Sequence, residues 1–527
     1  MKYFKNLSPL LLTVVFLLSS CIKDLDREPF YDITSANVYK DFANYKLILA
    51  KLYAGYAVSG QQGPAGKPDL SGIDEGFSNY LRQYWQLQEL PTDDAVIGWN
   101  DGTIGQLNTT NWTPANEFIT VMYNRIFYQI TLCNEFIRET TDEKLSERGI
   151  TGANADDARK FRTEARFLRA LSYSHAIDLF GNVPFVTEED AVGSFFPKQT
   201  TRAELFDYIE SELKDLETTI TPAGQNEYAR ADAAAVWTLL AKLYLNAEVY
   251  NGQSRYADVI TYCNKVIEAG YTLEPEYKNL FLADNHNSNE IIFPIAFDGL
   301  RTKSYGGITY LVHAPVGGSM NPEEFGVAGG WSGLRATKAL VHLFPDSSGT
   351  IDKRGMFHTD GQNIEINSIS TFTDGYPVTK WKNITSTGEV GSDPVDFPDT
   401  DYPMFRLADV YLMYAEAVLR NGGGDAGTAL GYVNALRTRA YGNENGNITA
   451  DQLTLDFILD ERGRELHWEA VRRTDLIRFG RFTSGNYVWP WKGGVFEGKE
   501  IEDFRALYPL PSADLIANPG LEQNEGY

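Results

Sequence analysis

Apolar residues recur at helical spacing in paired stretches along most of this 527-residue chain, which restricts it to packed helical hairpins. In 159–180, Phe161, Ala165, Leu168 and Leu171 fall on one face, and Gly181 with Pro184 ends the run. Ala233, Trp237, Leu240 and Tyr244 mark a second helix, Asn251-Gly252 a turn, and Tyr256, Ile260 and Val266 the returning helix. Small Ala235 and Ala241 permit close approach, so the pair looks like a tetratricopeptide unit without the strict repeat signature. Stretches 407–421 and 426–441 form another pair across Gly422-Gly423-Gly424, a run suited to left-handed capping conformations. It is no phosphate loop, because no GxxxxGK[ST] accompanies it. Residues 456–479 read as one further long helix. Two stretches, 60–104 and 291–403, break the pattern with Gly, Pro, Asp, Thr and Asn. Binding groups are expected on such loops when a rigid scaffold holds them. The predicted class is therefore mainly α: tetratricopeptide-like helix pairs forming a scaffold, with a loop-rich irregular ligand-binding region.

The N-terminus carries a different signal. Lys2 and Lys5 precede an apolar run from Leu10 to Leu18, then Ser19 and Ser20, which predicts a signal peptide over residues 1–20. The run is too short for a spanning helix, and no later segment offers 18 uncharged apolar residues. Leu18-Ser19-Ser20-Cys21 resembles the lipobox of bacterial lipoproteins, which implies that Cys21 is acylated and heads an acidic tether over 21–36. Asp24, Asp26 and Glu28 resemble export signals of surface-exposed lipoproteins, which implies the outer face of the outer membrane. The net charge of −24 argues against nucleic acid as a partner. Cys133 and Cys263 show no metal or disulfide spacing and are expected to be packing residues.

Three blocks resemble the SusD/RagB family of surface lipoproteins. Phe161-Arg162-Thr163-Glu164-Ala165-Arg166-Phe167-Leu168-Arg169-Ala170, running on to Leu179-Phe180-Gly181-Asn182-Val183-Pro184, is similar to the family's N-terminal signature (around 161–184). Glu461-Arg462-Gly463-Arg464-Glu465-Leu466, followed by Arg472-Arg473-Thr474-Asp475-Leu476, is similar to the C-terminal one. The close, Tyr508-Pro509-Leu510-Pro511 and Gln523-Asn524-Glu525-Gly526-Tyr527, fits as well. The resemblance implies one SusD-like domain over 37–527, with its C-terminal part at about 290–527. On their own physics, Arg162, Arg166 and Arg169 share a helix face, as do Glu461, Glu465 and Glu469, and such charges are expected to pair.

The match is closest to the family's starch-binding member, through Lys67–Gly76, Glu89–Asp93, Tyr305–Val312, Phe372–Gly375 and Trp491–Gly494. It implies a ligand site in which Trp99, Tyr305 and Trp331 form an aromatic arc and Asp74 and Arg82 supply hydrogen bonds. Asn100 or Asp101 stands in for an asparagine contact, because the loop after Trp99 is a residue shorter. Where that relative has a second tryptophan, this chain has Ile97. The chemistry is coherent: aromatic rings cover the apolar face of a pyranose, and its hydroxyls need polar partners once water is excluded. The resemblance further implies starch or malto-oligosaccharide as ligand and a SusC-like TonB-dependent transporter as partner. No HExxH or GxSxG motif is present. Asp74/Glu75 and Asp93/Asp94 are candidates for the two carboxylates that a glycoside hydrolase places across the scissile bond, but adjacency in sequence does not set that separation, and the resemblance implies a non-catalytic protein. No cofactor is expected; the oxygen-rich Asp284-Asn285-His286 leaves calcium open.

Overall fold

A computed structural model describes residues 35–193 and 195–527. The predicted signal peptide, Cys21 and most of the tether lie outside these residues. The chain divides into two compact units, residues 1–45 and 46–527. In the first, the short helix Ser35–Val38 takes in the last two residues of the expected tether. Behind it the Tyr39 and Tyr45 rings meet edge-on at 5.3 Å.

The second unit is a mainly helical scaffold, as the periodicity predicts. Helix Glu117–Glu139 starts on Asn116, whose side chain accepts from the Phe118 and Ile119 amides. It buries Met122, Ile126, Ile130, Cys133 and Ile137 and packs on helix Ala153–Leu179. That second helix starts earlier than the apolar pattern predicts, because its first turns are largely exposed and bury only the small Ala155 and Ala158. It ends before Gly181, whose φ of +71° suits glycine. Arg166 and Arg169 of this helix both reach Glu212 on helix Arg202–Leu216, at 2.8 and 2.9 Å, so the expected pairing is between helices. Helix Ala233–Leu245, capped by Asp232, packs against Tyr256–Glu268. Leu407–Leu419 and Ala426–Tyr441 form the predicted hairpin. Its link turns through left-handed Asn421, Gly423 and Gly424. Both Cys133 and Cys263 are buried and unbridged.

The predicted long helix over 456–479 is two helices, Leu455–Leu466 and Arg472–Arg478. Between them Trp468 and Ala470 take positive φ, +61° and +59°. Tertiary contacts impose this break. The buried Trp468 ring meets Trp85 edge-on at 5.3 Å, and its carbonyl accepts from Trp85 Nε1 at 3.0 Å. Glu469 therefore leaves the helical face of Glu461 and Glu465, yet all three carboxylates enter one buried ion network. Glu465 receives Arg354, Arg406 and Arg439; Glu461 receives Arg354, Arg437 and Arg464; Glu469 receives Arg406 and Lys380.

Short antiparallel pairs organise the loops. Strand Ile291–Ile295 pairs with Tyr402–Arg406, tying together the two ends of the irregular region 291–403. Within it, Leu334–Ala336 pairs with Ala95–Ile97, with Ile97 opposite Leu334. This second pair joins the two loop-rich stretches of the sequence. The first stretch also contains helix Tyr80–Glu89, which the periodicity did not reveal. Its buried positions include Arg82, Gln83, Gln86, Gln88 and Glu89, so polarity disguises the inward face.

Candidate functional site

The pairing of Ala95–Ile97 with Leu334–Ala336 explains how distant residues meet. Its ladder continues with the Gly98 amide on the Gly333 carbonyl at 2.9 Å; Trp99 follows Gly98 directly, and Trp331 lies two residues before Gly333, across Ser332. Trp99 Nε1 donates to the Trp331 carbonyl at 3.2 Å, and the two rings lie 6.2 Å apart at 48°. A Cβ on Gly333 would stand 2.4 Å from Trp99 Cε2, so only glycine lets the indole lie there. Tyr305 approaches from the turn before helix Gly307–His313, its ring 6.4 Å from Trp331 and 5.3 Å from buried Phe397. Trp99, Trp331 and Tyr305 are each half-buried. The three predicted aromatics thus form one continuous arc of partly exposed faces.

Behind the arc, His313 stacks on Trp331 at 4.8 Å and 19°. Its Nδ1 lies 2.7 Å from the Gly329 carbonyl and its Nε2 2.8 Å from that of Asp396. The Trp331 amide returns a bond to the His313 carbonyl at 2.9 Å, so main chain and ring hold the indole together. The loop 70–78 forms the opposite rim. Asp74 is exposed and its Oδ1 accepts from the Gly76 amide at 2.9 Å. Asn79 caps helix Tyr80–Glu89 by accepting from the Arg82 amide. Arg82 is only 4% exposed. Its guanidinium lies 4.0 Å from the Phe77 ring centre, 4.4 Å from Tyr310 and 5.7 Å from Trp99, with Nη1 donating to the Tyr305 carbonyl at 3.3 Å. Burial pulls Arg82 down to about 10, against the nearby Tyr310, Asp74 and Asp101. Arg82 supports the platform from beneath, while exposed Asn100 and Asp101 follow Trp99 at its edge.

Ile97 is fully buried, with its amide and carbonyl held by the Asn108 side chain at 3.2 and 2.9 Å. That position contributes to the core here. Asp93 and Asp94 are equally inaccessible, and Asp93 is clamped by Arg472 and Tyr487. The oxygen-rich segment at Asp284 is spent on structure: its carboxylate accepts from the Ser386 amide and hydroxyl at 2.8 and 2.6 Å. Among the described residues, no three His, Cys, Asp or Glu side chains gather as a metal site.

The family model for the SusD family matches residues 349–527. Over its whole length the chain is 36% identical to the starch-binding protein SusD of Bacteroides thetaiotaomicron, covering 100% of this chain and 99% of that protein. The chain belongs to the SusD family. A SusD-like protein of Bacteroides ovatus is 26% identical over 74% of this chain and 70% of its own. The fold agrees with a SusD superfamily protein of Bacteroides thetaiotaomicron at TM-score 0.70 and 20% identity, covering 92% of this chain and 99% of that one. It also agrees with surface glycan-binding protein A of the same organism in complex with laminarihexaose, at TM-score 0.69, 19% identity and coverage of 92% and 99%.

One group in this candidate site was not singled out for binding in the sequence. Glu75, between Asp74 and Gly76, is buried, and burial pushes it up to about 7 against the Ser59 hydroxyl and the Tyr305 main chain. A raised folded pKa means that its contribution is full below the ordinary carboxylate range and is lost as pH rises through about 7. Glu75→Gln is therefore expected to raise the melting temperature at pH 8, with the gain shrinking towards pH 4. Thermal melts across that range check this; a gain independent of pH would contradict it.

Proposed function

We propose that this protein is a cell-surface glycan-binding lipoprotein that captures starch and malto-oligosaccharides and passes them to a SusC-like TonB-dependent transporter in the outer membrane. The observation that carries this reading is the continuous arc of Trp99, Trp331 and Tyr305, half-exposed and backed by His313, Phe397 and Arg82. Rings tilted by 48° and 56° to their neighbours present a curved surface, which suits the curved α-1,4-glucan better than a flat chain. Exposed Asp74, Asn100 and Asp101 at the rims offer acceptors, and Asn100 also a donor, to sugar hydroxyls. The full-length relatedness to a starch-binding protein supports the same ligand. The protein acts as a binder and not as an enzyme: Asp93 and Asp94 are out of reach of a glycan, and buried Glu75 lies under the loop.

Capture consists of stacking on the arc, hydrogen bonding at the rims, and release into the transporter, with acylated Cys21 as the tether. Ordering a flexible glucan offsets much of the contact energy, so the dissociation constant is expected in the roughly micromolar to millimolar range. Titration calorimetry with maltoheptaose, laminarihexaose, a fructan and mixed peptides tests the assignment. Heat with maltoheptaose alone is the expected result; no heat with any α-glucan would sink it. A second reading, a binder of another glycan or a peptide, is favoured by Ile97, which leaves the arc without a ring at that position.

A further inference from the structure

Beyond the three rings of the arc, a fourth aromatic lies on the same rim. Phe372 is half-buried in the loop 366–375. Its Cε1 lies 2.8 Å from where a Cβ on Gly317 would stand and 3.5 Å from one on Gly318. Ser332, the residue after Trp331, crowds the same point on Gly317, with Oγ at 2.2 Å. The two consecutive glycines thus make room for a phenyl ring beside the Trp331 turn.

The loop carrying Phe372 is pinned by one buried side chain. Arg335, in strand Leu334–Ala336, donates from Nε to the Asp374 carbonyl at 2.9 Å and from Nη2 to the Thr371 carbonyl at 3.0 Å and the Ile369 carbonyl. Its Nη1 donates to the Gly333 carbonyl at 2.8 Å and lies 2.7 Å from where a Cβ on Gly98 would stand. All four acceptors are backbone carbonyls of the loops bearing Phe372 and Trp331, and Gly98 leads into Trp99. The guanidinium carbon is 5.9 Å from the centre of the Phe372 ring. Trp491 Nε1 holds the loop's start through the Ile366 carbonyl at 2.8 Å. A buried cation bound only to carbonyls fixes loop geometry, since losing it would strand those acceptors.

We infer that Phe372 is a fourth platform ring, covering a pyranose of the α-glucan outward of Trp331, and that Arg335 is the residue that positions it. This rests on the glucan-binding reading above, and the test separates the two. Wild-type protein, Phe372→Leu, Phe372→Tyr, Arg335→Lys and the Arg335→Lys/Phe372→Leu double variant are titrated with maltotriose and maltoheptaose. Phe372→Leu keeps apolar volume and removes the ring. It is expected to weaken maltoheptaose about three- to tenfold, the worth of one aromatic contact, and to leave maltotriose unchanged. Phe372→Tyr is expected to bind like wild type. Arg335→Lys should weaken maltoheptaose, with no further loss when combined with Phe372→Leu, as coupled residues behave. Phe372→Leu matching wild type, or losing equally on both ligands, would overturn the role of Phe372. Additive losses in the double variant would overturn that of Arg335. Absence of any heat from wild-type protein would instead overturn the glucan reading beneath both.

Discussion

Glu465→Ala is expected to cost about 3–5 kcal/mol of folding stability, the cost of leaving buried charges without their partner. Glu465 is fully buried and binds Arg354 at 3.0 Å and Arg406 at 2.7 Å, with Arg439 closing the site. Removing its carboxylate strands three guanidiniums at once, although Glu290, Glu461, Glu469 and Asp352 retain part of the network. Against burial, Arg439, Arg406 and Arg354 hold Glu465 well below the usual carboxylate range, and Glu461 is held down to about 2. Lowered carboxylate pKa values contribute stability above the ordinary range and lose it as pH falls, so this network is a source of acid lability. Urea unfolding followed by circular dichroism checks the prediction. The exposed pair Asp142–Arg159 supplies the control, since Asp142→Ala should cost less than about 1 kcal/mol. Equal midpoint shifts for the two variants would contradict the account.

The other large effect concerns binding. Trp99→Ala and Trp331→Ala are each expected to weaken glucan binding about 30-fold, corresponding to about 2 kcal/mol for a central aromatic anchor. For a ligand already bound weakly, either change places binding near the detection limit, and the double variant should bind only slightly more weakly than either single one. The two losses should not add. Trp99 Nε1 is bonded to the Trp331 carbonyl and the rings are neighbours, so each change disturbs the other's seat. Trp331→Ala also removes the stacking partner of His313. Near-UV circular dichroism on each variant separates a lost contact from a collapsed rim. Retained wild-type affinity in the double variant would remove the arc from the mechanism.

The helical hairpins were legible because their buried faces are apolar at helical spacing, as with Val259, Cys263 and Val266 on the second helix of its pair. Legibility failed where tertiary contacts ruled. Nothing local in the stretch 467–471 announces that Trp468 turns inward to Trp85, splitting an otherwise regular helix. Helix Tyr80–Glu89 was hidden for the opposite reason: its inward residues are polar, and some of them reach distant partners, such as Gln88 on Asp178 and Arg82 on the Tyr305 carbonyl. At the site, family resemblance supplied Trp99, Tyr305 and Trp331, but their convergence depends on a strand pair only three residues long, between stretches more than two hundred positions apart. His313, Gly333 and Arg335 carried no such signal, and Phe372, although it opens a resembling segment, carried none for a ligand role. Their contributions come from a stack, a missing Cβ, a carbonyl clamp and a ring beside two glycines, none of which has a sequence motif.

The central claim is that the arc is where the ligand sits. A crystal structure of the protein with maltoheptaose tests it most directly. The account predicts sugar rings lying on Trp99, Trp331 and Tyr305, with hydroxyls reaching the Asp74 and Asn100 rims. A maltoheptaose bound elsewhere on the surface, with those three faces empty, would contradict it.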